Sequence, residues 1–148
     1  MNTKESEVKK YCCFYASDFH LEMILLPYIK DNIYKDKFII FTEESLTDSM
    51  KVLLNRTNLN LEEKNLMINL NWDEKTEADL SKYKFDDHTI IINGSSKYIN
   101  KINQKIKNKY PRKINIIDCY SINDKNVELG QIKEKYDDIL NTKGSKKI

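Results

Sequence analysis

The sequence predicts an α/β fold: a three-layer α/β/α sandwich around a mainly parallel, about five-stranded sheet. Three observations predict it. Short apolar runs, several rich in β-branched residues, alternate with segments whose apolar residues recur at helical spacing. The runs are continuous rather than alternating, the pattern of strands covered on both faces by helices. The chain has 148 residues, 40% of them apolar and 32% charged, which suits one domain with a core of its own.

The elements follow in order. Residues 1–10 read as a polar lead-in, residues 11–142 as a single domain and residues 143–148 as a flexible tail. Tyr11-Cys-Cys-Phe-Tyr-Ala16 reads as the first buried strand. Ser17 or Asp18 caps the next helix, whose stripe is Leu21, Ile24, Leu25, Tyr28 and Ile29. Pro27 inside it predicts a kink or break near Met23 to Pro27. Lys37-Phe-Ile-Ile-Phe-Thr42 is a second strand. Ser45-Leu-Thr-Asp48 has the spacing of a capping box ahead of Leu46, Met50, Leu53 and Leu54. Leu66-Met-Ile-Asn-Leu70 is expected to be a third strand, and residues 74–87 a loop with one helical turn. Thr89-Ile-Ile-Ile-Asn93 is a fourth strand, and Gly94 turns the chain into a helix capped by Ser95 or Ser96. That helix is striped by Ile99, Ile102, Ile106 and Tyr110, and Pro111 stops it. Lys113-Ile-Asn-Ile-Ile-Asp118 is a fifth strand. An amphipathic helix is expected from Val127 to Leu140.

Bulk properties narrow the function classes. The net charge of +2 gives no global drive toward nucleic acid or membrane. No apolar stretch is long enough to span a bilayer, and no signal-peptide pattern opens the chain, so a cytoplasmic location is expected. Cys12, Cys13 and Cys119 show no CxxC spacing and read as small buried residues of a reducing compartment. Cys12 and Cys13 would point to opposite faces of a strand, so a metal site joining both with His20 requires distortion.

In parallel sheets ligands sit at the carboxyl ends of the strands. Those ends carry Tyr15, Ser17 and His20; Glu43 and Glu44; Trp72; Asn93; and Tyr120. A phosphate-cradling loop needs glycines for close backbone approach and a lysine for the phosphates. The connection Tyr15-Ala-Ser-Asp-Phe-His20 has neither, and Asp18 would repel an anion there. No GxGxxG or GxSxG pattern is present. Glu43 and Glu44 are open to two readings: carboxylates that polarise water or hold a metal, or first-turn acids at a helix N-terminus. His20 is either an acid–base group or a helix-start histidine bonded into the fold. Lys97, Lys101, Lys105 and Lys109 form a basic row within a run, Lys97 to Lys113, of seven basic and no acidic residues. It is either a phosphate-binding face or a solvated helix surface.

The run Tyr11-Cys-Cys-Phe-Tyr-Ala-Ser-Asp-Phe-His-Leu-Glu-Met-Ile-Leu-Leu-Pro-Tyr-Ile29 resembles the opening of the MEDS (methanogen/methylotroph sensory) domain. Phe38-Ile-Ile-Phe-Thr-Glu-Glu-Ser45 is similar to that family's second strand, and Asp118-Cys-Tyr120 to its late Cys-x-Tyr region. The resemblance implies a RecA/KaiC-like sheet without its phosphate loop. It also implies a stand-alone sensory domain that binds a small ligand or a protein partner at the sheet's carboxyl edge, without ATP hydrolysis. No cofactor or metal is expected, and a kinase or transcription regulator is the expected kind of partner. Glu43-Glu44 is similar to the paired glutamates of KaiC-like ATPases, while Asn93 stands where an acidic metal ligand would be. The rival functions are a small enzyme using Glu43, Glu44 and His20, and a nucleic-acid-associated protein using the Lys97–Lys113 face.

Overall fold

A computed structural model describes residues 7–109, 113–125 and 129–148. Its sheet has six strands in the order β2-β3-β4-β1-β5-β6: β1 (Glu7–Tyr15), β2 (Lys37–Thr42), β3 (His88–Asn93), β4 (Lys113–Ser121), β5 (Asp138–Asn141) and β6 (Gly144–Lys147). All pairs are parallel except β5–β6. The architecture is therefore the predicted α/β sandwich, with one strand more than expected.

Two apolar layers hold the sheet. On one face α1 (Asp18–Asn32), α2 (Thr47–Asn55) and α3 (Leu61–Asn69) pack through Leu21, Ile24, Leu25, Met50, Leu54 and Met67. On the other face lie α4 (Ser96–Asn108), a 3-10 turn over Glu77–Lys82, and the segment that follows α5 (Leu129–Lys133). Their buried residues include Ile99, Ile102, Ile106, Leu80 and Tyr136. Cys12 belongs to this second layer and Cys13 to the first, as strand alternation requires.

Several sequence expectations are corrected. Leu66–Leu70 is not a strand but the end of α3 and its cap. Asn60 accepts from the Glu63 N–H at 2.7 Å, and Glu63 Oε1 accepts from the Asn60 N–H at 3.2 Å. That reciprocal box starts a helix before the apolar run is reached. The expected box at Ser45 does not form. Leu46 is the first-cap residue without a side-chain bond, and Ser45 instead accepts from the Thr47 N–H and donates to Asp73. Pro27 does not break α1, which runs from Asp18 to Asn32. The proline lies on the exposed side, where water can take the Met23 carbonyl that it leaves without a helical donor.

The largest correction is C-terminal. The expected helix to Leu140 is confined to Leu129–Lys133, and the chain then forms the β5–β6 hairpin. Asn141 Oδ1 accepts from the Lys143 N–H at 2.8 Å, and Gly144 takes a φ of +112°, a value only glycine adopts without strain. β5 completes β1, pairing Tyr11 with Asp138 and Cys12 with Ile139. Without it, the buried centre of β1 would leave backbone groups unpaired. β1 itself begins at Glu7, ahead of the predicted Tyr11. The predicted stop at Pro111, with Tyr110, and the predicted helix start at Val127 fall outside the described residues.

Candidate functional site at the carboxyl edge

β1 and β4 are neighbours whose following connections diverge. After β1 the chain crosses the first face in α1 toward β2; after β4 it crosses the other face toward β5. This is the topological switch point at which α/β sheets open a crevice. A cleft of about 410 Å³ lies there, and Tyr15, Asp18, Glu43, Glu44, Asn93 and Asp124 are among its lining.

Its floor is a chain of hydrogen bonds across three strands. The Tyr15 hydroxyl donates to Asn93 Oδ1 at 2.6 Å, the Asn93 amide donates to Thr42 Oγ1 at 3.0 Å, and Thr42 donates to the Glu44 carbonyl at 2.6 Å. Only a side chain with both an acceptor and a donor can link a tyrosine to a threonine that is itself donating onward. Asn93 therefore fits where a carboxylate would not. Burial pushes the Tyr15 phenol above its ordinary range, with the neighbouring Cys119 and Asp18 adding to the effect.

The walls are acidic, and part of that acid is already engaged. Glu43 Oε1 accepts from the Ser95 N–H at 2.8 Å, and Asp124 Oδ2 from the Ser96 N–H at 3.1 Å. These are the donors at the start of α4, where a helix would otherwise receive an anion. Ser95 completes the cap by accepting from the Tyr98 N–H at 3.2 Å. Gly94 makes the approach of Glu43 possible: a Cβ there would lie 2.9 Å from both Glu43 Cβ and Oε1. Across the cleft, Ser17 Oγ accepts from the His20 N–H at 3.2 Å, and His20 Nδ1 accepts from the Ala16 N–H at 2.9 Å. The imidazole thus carries its proton on Nε2 and acts as a loop brace.

The structure gathers Tyr15, Ser17, Glu43, Glu44 and Asn93 at one cleft, and separates the other three candidates from it. His20 braces the loop and does not line the cleft. Trp72 is buried between α2 and the end of α3, where its Nε1 donates to the Met67 carbonyl at 2.8 Å. Tyr120 faces the opposite layer, its hydroxyl 2.6 Å from that of Tyr136. Asn123 and Asp124 are the lining residues that sequence reasoning missed. Their signal was the polar run Ser121-Ile-Asn-Asp124 directly after a buried strand.

The remaining candidate chemistries are placed as follows. No group of three or more His, Cys, Asp or Glu residues suited to a metal ion occurs among the described residues. The basic row on α4 is partly tied down: Lys101 pairs with Glu77, and Lys109 Nζ donates to the Leu80 carbonyl at 2.6 Å and sits over the Phe85 ring. No helix among the described residues is long and apolar enough to cross a membrane. Compared with protein-family models, curated proteins and solved structures, the chain matches none.

Proposed function

We propose that this chain is a regulatory binding module whose carboxyl-edge cleft receives a cationic group, carried by a small ligand or by a partner protein. The observation that carries this reading is the occupation of the α4 N-terminus by Glu43 and Asp124. Backbone donors at a helix N-terminus, which can hold a phosphate, here hold the protein's own carboxylates. Asp18 and Glu44 add two more acids to the lining, and no lysine or arginine is among the described lining residues. Such a wall favours ammonium or guanidinium groups and disfavours nucleoside phosphates. The likeness of Tyr11–Ile29 to the MEDS sensory domain is the ground for reading the binding as sensing, and a partner would receive the signal.

The test is calorimetric titration at low salt with spermidine, with N-acetyl-arginine amide and with magnesium ATP. The reading expects saturable binding of a cationic probe, weakened about tenfold in Asp18→Asn/Glu44→Gln, the scale of one lost charged contact. Binding of ATP that survives the same substitutions, with no binding of either cation, would overturn it.

A further inference from the structure

A second cleft, of about 510 Å³, opens on the α4–α5 face of the sheet, and Lys10, Lys125, Lys135, Asn103, Asp118 and Tyr136 are among its lining. Its charge is the reverse of the edge cleft's: three lysines against the single carboxylate of Asp118. That carboxylate is fully buried and already surrounded. Tyr136 donates to it at 2.6 Å, the Asn103 amide approaches both its oxygens at 3.0 and 3.1 Å, and Lys10 Nζ lies 3.6 Å away. Asp118 therefore neutralises Lys10, and among the described residues no ion pair engages the other two lysines. The ion pairs among the described residues join Lys9 to Asp138, Lys10 to Asp118, Lys82 to Asp79 and Lys101 to Glu77. Neither Lys125 nor Lys135 takes part in one.

Two ammonium groups outside the ion pairs of the described residues, beside a rigid polar floor, match two negative charges. Asn100 and Gln131 add amide donors to the lining, and the ring of Tyr136 is fixed by its bonds to Asp118 and Tyr120. We propose that this lateral cleft is a binding site for a small, doubly charged anion bearing phosphate or carboxylate groups. The cleft lies on the opposite face of the sheet from α1, and the proposal does not rest on the edge-cleft reading.

The experiment is an amide NMR titration of the full chain at low ionic strength, with inorganic phosphate in one arm and succinate in the other. Saturating shifts centred on Asn100, Lys125, Gln131 and Lys135 are expected in at least one arm, and the tighter arm identifies the anionic group. Lys125→Gln/Lys135→Gln should weaken that binding about tenfold or more. The control pair Lys35→Gln/Lys51→Gln, on exposed lysines elsewhere, should leave it unchanged. Absence of saturation in both arms, or equal weakening by the two lysine pairs, would overturn the site. All four substitutions are at exposed positions, so folding is preserved.

Discussion

The two clefts use buried polar chains in opposite ways. At the carboxyl edge, Tyr15, Asn93 and Thr42 form a neutral relay that fixes three strand ends, and the charged groups stand above it on loops. In the lateral cleft the charge is inside: Asp118 is part of the core, and the chain from Tyr120 through Tyr136 ends on it. A neutral relay is stable without compensation, whereas a buried carboxylate needs a cation and donors on several sides. That difference explains why Lys10, Asn103 and Tyr136 converge on Asp118. Lys10 also ties through its backbone to Asp137, just ahead of β5, donating to Asp137 Oδ2 at 2.9 Å and accepting from the Asp137 N–H at 2.9 Å.

The strongest way to break the contrast is Asp118→Ala. It strips the partner from Lys10, Tyr136 and Asn103 together, and a loss of about 3–5 kcal/mol is expected in urea unfolding. A loss below about 1 kcal/mol would mean that the network is not a structural lock. Asn93→Ala is the matching cut at the edge. It orphans the Tyr15 hydroxyl and removes the donor to Thr42, for an expected cost of about 1–3 kcal/mol. The smaller effect is the point, since no charge is left uncompensated.

Glu22 sharpens the contrast because it is a buried acid with almost no compensation. It is fully buried on α1, accepts one hydrogen bond from Ser49 at 2.7 Å, and its Oε1 has no partner. Burial raises its pKa above the usual carboxylate range, with Asp18 adding to the rise and Ser49 opposing it. The sign follows from linkage. A folded pKa above the unfolded one costs stability at neutral pH, and the cost fades as pH falls through the folded pKa. Glu22→Met should therefore raise stability at pH 7 by about 1 kcal/mol and remove that part of the gain on acidification. Ser49 keeps an acceptor in the Leu46 carbonyl at 3.2 Å. Urea midpoints measured from pH 7 to 4 check both claims; an unchanged pH slope would contradict them. The smallest effect belongs to Lys101→Gln, an exposed pair with Glu77, where a change within about 0.5 kcal/mol is expected by the same unfolding assay.

The same contrast shows what the sequence could disclose. The edge cleft was legible because parallel strands deliver their C-terminal residues to one side, so Tyr15, Glu43, Glu44 and Asn93 could be assembled from strand ends alone. Trp72 reaches the carboxyl edge only if Leu66–Leu70 forms a strand, and that segment is instead the end of α3 and its cap. The box Asn60-x-x-Glu63 marked the helix and was the signal to use. The lateral cleft was not legible, since it depends on a long-range fit. Asp118 faces α4 only through the register of β4, and Tyr136 reaches it only because the expected helix stops at Lys133 and becomes a hairpin. Helical spacing of Ile132, Tyr136, Ile139 and Leu140 suits an amphipathic helix, and Ile139 and Leu140 equally suit a short strand beside β1. Pairing with β1 decided the matter, and pairing is tertiary information.

The most direct measurement is a pair of titrations at the carboxyl edge: amide shifts of Asp18, Glu44, Ser95 and Ser96 followed by NMR during separate additions of spermidine and magnesium ATP. The account predicts saturable shifts with spermidine, lost in Asp18→Asn/Glu44→Gln, and none with ATP. Saturable shifts of Ser95 and Ser96 with ATP, showing that phosphate displaces Glu43 and Asp124 from the start of α4, would contradict it.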